Sequence, residues 1–171
     1  MHNPQKAANQ EDHFQQNHYD IKTLEDEIKA DNKCKEILKQ FHSYLLNHKK
    51  IDPISAGSLA SGTDYFLRDY MIDNQRSNIF RISSEQVRSF AGNWYIINTI
   101  EPNMVELENI LVGISHFYRF CAEKKAVSQA KAEEIHQTCI CVKYYQHRIE
   151  SFNDISGDGF ISWNKACPLQ K

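Results

Sequence analysis

The chain has 171 residues, 41% hydrophobic and 25% charged, proportions that suit a globular fold rather than a disordered or fibrous chain. Twenty Lys and Arg against 22 Asp and Glu leave a net charge of −2, which excludes a strongly basic protein that coats nucleic acid. No run of about 18 apolar residues occurs, so a membrane-spanning helix is excluded and no membrane partner is expected.

Residues 1–19 are rich in Asn, Gln, His and charge and show no apolar periodicity. They are expected to form a disordered polar leader, and they lack the apolar centre of a secretory signal. Ile21, Leu24 and Ile28 mark a short amphipathic turn. Asn32 then stands as an N-cap before Cys34, Ile37, Leu38, Phe41 and Leu45, whose spacing predicts a helix with one buried stripe. His48, Lys49 and Lys50 close it with the charge that a helix C-terminus favours. Pro53 and Gly57 mark a connection, so 20–57 reads as a helical N-terminal extension to a bundle over 58–152.

Leu59, Tyr65, Phe66, Tyr70 and Met71 are the apolar members of a second helical region over 58–73, which Gly62 interrupts or delays. The polar stretch 74–78 breaks the pattern. Ser83 and Gln86 are spaced as a capping box, with Val87, Phe90, Ala91 and Trp94 on the buried face behind them. Asn98 and Thr99 end that helix, and Pro102 suits the first turn of the next. There Met104, Leu107, Ile110, Leu111, Ile114, Phe117, Tyr118 and Cys121 sustain one apolar face over about five turns. Ser128 caps a final long helix carrying Ala132, Ile135, Cys139, Val142 and Ile149, and 153–171 form a turn and tail. No segment alternates at period two, so the fold class is all-α: a compact bundle of five or six helices.

Cys34, Cys121, Cys139, Cys141 and Cys167 make an odd set without a CxxC pair, which points to free thiols and a cytoplasmic, reducing location. The first four read as small core hydrophobes.

The string Tyr65-Phe66-Leu67-Arg68-Asp69-Tyr70, then Ile82 with the capped helix through Val87-Arg88-Ser89-Phe90, then the helix end from His116 to Lys125, resembles the SAM-like core-binding domain of tyrosine recombinases and phage integrases. The resemblance spans about Leu59 to Phe152 and implies a helical clamp on double-stranded DNA. The chain departs from that family in its charge, and no recombination chemistry is expected because no catalytic segment follows. His116-x-x-Arg119 with Tyr144 and Tyr145 downstream matches the recombinase active-site pattern, yet the pair sits inside an amphipathic helix and reads as a solvated flank.

Asp154, Ser156, Asp158 and Ser162 follow the oxygen-donor spacing of an EF-hand calcium loop, with Gly159 at its sixth position. Lys165 replaces the bidentate Glu, and no exit helix is expected in the few residues that remain. His136 and Cys139 share a helix face, with His147 about two turns on, but no further metal ligand is evident. No cofactor motif is present, and an enzyme is not expected. For DNA the candidate contacts are Arg68, Arg81, Arg88, Lys124 and Lys125, interleaved with Asp64, Asp69, Asp73 and Glu85. The rival expectation is a protein partner, met by aromatics such as Tyr144 and Tyr145, while Trp163 folds back over the end of the bundle.

Overall fold

The computed structural model describes residues 13–167. Among them every regular element is helical. After a 3₁₀ turn at Gln16–Tyr19 come α1 (Leu24–Asn47), α2 (Pro53–Asp64), α3 (Ser84–Ser89), α4 (Met104–Glu123), α5 (Gln129–Cys139), α6 (Val142–Asn153) and α7 (Phe160–Lys165). α2 continues without a break into a π-helical stretch, Tyr65–Asn74, and α3 into another, Phe90–Trp94, that ends in the turn Tyr95–Asn98.

The polar leader expected over 1–19 stops short of its predicted end. Phe14 packs edge-on against Phe120, and Tyr19 is fully buried with its hydroxyl donating to the His13 carbonyl. Residues 1–12 lie outside the described residues. The N-cap of α1 is Thr23 rather than Asn32, because Thr23 and Asp26 form a reciprocal capping box. One unbroken register from that cap buries Ala30, Cys34, Ile37, Leu38, Phe41, Tyr44 and Leu45 and leaves Leu24 and Ile28 exposed, off the stripe. Each large side chain so buried contributes roughly 1.5–3 kcal/mol, which ties the expected N-terminal segment into the common core.

Pro53 opens α2 instead of breaking the chain: Asp52 caps it by accepting from the Ile54 and Ser55 amides, and Pro at the first helical position forfeits no bond. Gly62 does not interrupt it. A Cβ there would lie 2.9 Å from Ile110 Cγ1, and one at Gly113 would lie 2.5 Å from the Leu59 carbonyl oxygen. These two glycines let α2 and α4 touch backbone to backbone. The two π-helical stretches meet through their rings, with Phe66 5.0 Å from Phe90 and Tyr70 5.3 Å from Trp94, centroid to centroid.

The capping box of Ser83 and Gln86 forms in both directions. α4 keeps its whole expected face: Leu107, Ile110, Leu111, Ile114, Phe117, Tyr118 and Cys121 are buried, and only Met104, in the first turn, is half-exposed. Its N-cap is Asn103, one residue after Pro102. The single last helix of the sequence reading is divided at Ile140 and Cys141. Ser128 caps the first half as expected, and at the break the Thr138 carbonyl accepts from the Cys141 amide at 3.3 Å and from the buried Tyr145 hydroxyl at 2.8 Å. A further helix, α7, forms where none was expected, and with the break it raises the helix number above the expected five or six.

Candidate functional site

α4 is buried on most of its circumference, and beside its packed contact with α5 lies a cleft of about 300 Å³. From α4 the cleft is lined by Glu108, Leu111, Val112, Ser115, His116 and Arg119; from α5 and the elbow after it by His136, Cys139, Ile140 and Val142. The helices run antiparallel, since Ser115 Oγ lies 2.8 Å from His136 Nδ1 and Arg119 Nη2 lies 4.0 Å from Glu133 Oε2. Leu111, Val112, Ile140 and Val142 therefore gather at one end and His116 and Arg119 at the other. Val112 and Ile140 are 46% and 54% exposed, so the apolar end is open to solvent.

The electrostatics of the cleft favour neutral imidazole. Burial, followed by the charges of Lys49, Arg119 and His136, holds His116 below the ordinary histidine range. Its Nδ1 is buried and has no hydrogen-bond partner. Cys139 is 4% exposed, and burial pushes its thiol up to about 12, so it is an inert floor and not a nucleophile. The polar pattern of His116, Arg119, His136 and Cys139 thus meets in space, as a lined cleft. Tyr144 and Tyr145 do not join it: Tyr145 is buried at the α5–α6 elbow, and Tyr144 points its hydroxyl at Cys167 Sγ, 3.8 Å away. His147 is exposed on α6.

The DNA candidates are dispersed. Arg68 is held by Asp31 at 2.6 Å and Asp64 at 3.1 Å, and Arg81 by Asp20 at 2.9 Å. Asp31 is partly desolvated, which opposes its ionisation, but hydrogen bonds from Arg68 and Lys35 outweigh this and keep it below the usual carboxylate range. Arg88 lies over the Tyr144 ring and Lys124 over Phe120, each at 5.8 Å. Lys124 is the C-cap of α4 and Lys125 follows it in the left-handed region, φ 61°, so both stand where a helix C-terminus attracts cations.

Asp154, Ser156 and Asp158 are exposed in the turn between α6 and α7. The left-handed glycine of that turn is Gly157, at the fourth loop position, and not Gly159 at the sixth, whose amide donates back to the Ser156 carbonyl. The loop thus closes straight into α7, the exit helix that was not expected, and no group of three or more His, Cys, Asp or Glu among the described residues is placed to hold a metal. Trp163 folds back as expected. Its indole N–H donates to the Arg148 carbonyl and to Ser151 Oγ, and the Arg148 guanidinium lies 3.9 Å from its ring centroid. Arg148 itself escaped the sequence reading. It is 5% exposed and donates to the carbonyls of Gly92 and Trp163, and burial lowers its pKa. The available signal was its register, for it shares the buried stripe of α6 with Tyr145 and Ile149.

A second surface lies where the α3–α4 connection enters α4. Ile100 is fully exposed, Val105 84% and Ile97 40%. The connection is fastened beneath them: the Tyr95 hydroxyl donates to Glu106 Oε2 at 2.7 Å and lies 3.3 Å from the Asn103 amide.

Compared with known proteins, the chain matches no family model, no curated protein and no solved structure. No helix among the described residues is long and apolar enough to cross a membrane.

Proposed function

We propose that this chain is a non-catalytic interaction module that docks a partner protein through the corner where the α3–α4 connection enters α4. The observation that carries this reading is Ile100, fully exposed between Ile97 and Val105. Single exposed apolar residues are ordinary, but three within nine residues of one fastened connection leave apolar area in water that a partner would cover. Asn98, Glu101 and Asn109 supply the polar rim that protein interfaces carry. The hydrogen bonds of Tyr95 preorganise the corner, which lowers the cost of ordering it on binding.

The test is cross-linked capture from a lysate with the wild type and with an Ile100→Asp/Val105→Asp variant, both checked by circular dichroism. A partner retained by the wild type and lost from a folded variant supports the reading. Identical captured sets overturn it.

Duplex DNA is the second reading, favoured by the rings, and not carboxylates, that meet Arg88 and Lys124. A labelled duplex of about 30 base pairs, titrated at two salt concentrations, should then bind with Kd of ~10⁻⁴–10⁻⁶ M and weaken several-fold as salt rises. Lys124→Ala/Lys125→Ala should weaken it further, and no binding at low salt removes the DNA reading.

A further inference from the structure

The α4–α5 cleft is separate from the docking corner and calls for a different ligand. It has one open apolar end and one cationic end, and its volume of about 300 Å³ stands at the small limit of ligand pockets, which run from roughly 300 to 1,000 Å³. We infer that it binds a small monocarboxylic acid, with the carboxylate at Arg119, beside the His116 ring, and the hydrocarbon body between Leu111, Val112, Ile140 and Val142.

Each wall argues for part of that ligand. Arg119 is committed to no strong partner: its contact with Glu133 is 4.0 Å long, with 42% and 57% of the two side chains exposed, a geometry worth little in water. Its planar fork is free to take a carboxylate in two parallel hydrogen bonds. His116 lines the same end, and its buried Nδ1 has no partner. That buried atom is out of reach of the cleft, so Arg119 supplies the hydrogen bonds to the carboxylate and the His116 ring stands beside it. His136 is fixed by Ser115, so the wall opposite does not need to rearrange. Glu108 sits beside the apolar residues of the other end, where it repels a carboxylate and sets the ligand's direction. A metal cation would meet Arg119, and the floor at Cys139 is an un-ionised thiol, so neither metal binding nor covalent capture competes.

The test is an NMR titration of the full chain with octanoate, read at the backbone amides and at the His116 and His136 ring nitrogens. Octanamide serves as the neutral isostere. Octanoate should give saturable shifts at Val112, Ser115, His116, Arg119 and Ile140, and octanamide should bind about tenfold more weakly or worse. Arg119→Gln should weaken octanoate by a similar factor, and Ile140→Asp, a change at an exposed position, should abolish saturation by placing a charge at the apolar end. Thermal melts confirm that both variants are folded. Absence of saturable shifts in the cleft, equal affinity for octanamide, or unaltered affinity in Arg119→Gln overturns the inference. Each of these outcomes leaves the docking corner untouched, because neither Ile100 nor Val105 lines the cleft.

Discussion

The two flanks of α4 are built from one amphipathic helix and have opposite characters. Toward α2, Gly113 and Gly62 admit the facing backbone so closely that no side chain could be added at either position without displacing Leu59 or Ile110. Toward α5, Ser115 meets His136 directly at 2.8 Å, and the larger side chains at Val112, His116 and Arg119 line a cleft beside that contact. The size of the residue at each contact decides the separation of two helices. Small residues bring two backbones together, while branched and cationic ones leave room beside the contact.

This contrast can be broken or sharpened by substitution, beginning with the closed seam. Ile110→Ala removes the buried side chain that fills against Gly62 and should cost about 2–5 kcal/mol of stability, measured by urea unfolding. Gly113→Ala should cost about 1–3 kcal/mol net, because overpacking against the Leu59 carbonyl outweighs the gain of up to about 1 kcal/mol in helix propensity. A stabilised Gly113→Ala protein would mean that the seam is looser than the structure has it.

On the open flank the effects are smaller and depend on pH. His116 has its pKa lowered from 6.5, chiefly by burial. Above that value the imidazole is neutral in both folded and unfolded chains. As pH falls through it, the unfolded chain takes up the proton first, so stability declines until the folded-state pKa is passed. His116→Gln should flatten that part of the stability–pH profile while leaving stability at pH 8 nearly unchanged. A slope that persists in His116→Gln would place the desolvated group elsewhere. The smallest effect is expected for Val112→Asp: being exposed, it should alter stability by no more than about 0.5 kcal/mol. A larger loss would show that the apolar end of the cleft is closed in solution.

Local chemistry explains what could be read in advance. Ser83 with Gln86, and Ser128, announce helix starts because each needs only neighbours within one turn to satisfy free amides. The face of α4 was legible because its apolar residues recur without interruption from Leu107 to Cys121. The same reasoning misplaced the start of α1, since Thr23 and Asp26 outbid Asn32 only once both halves of the box form. It also missed the break at Ile140, where one of the bonds to the Thr138 carbonyl comes from the Tyr145 hydroxyl, seven residues beyond it. The cleft shows the same division: His116, Arg119, His136 and Cys139 were each visible as candidates, but the registry that joins them depends on how α5 docks. The arginines at 68 and 81 looked available to phosphate because Asp31 and Asp20 are 37 and 61 residues away in the chain.

Periodicity and capping within single helices determined the all-helical class and seven of the eleven buried residues of α4, because both depend on contacts a few residues apart. Only the tertiary structure decided which charges are neutralised, which glycines form a seam and which polar side chains converge. Those properties depend on distances between helices, and no pattern along one helix contains them.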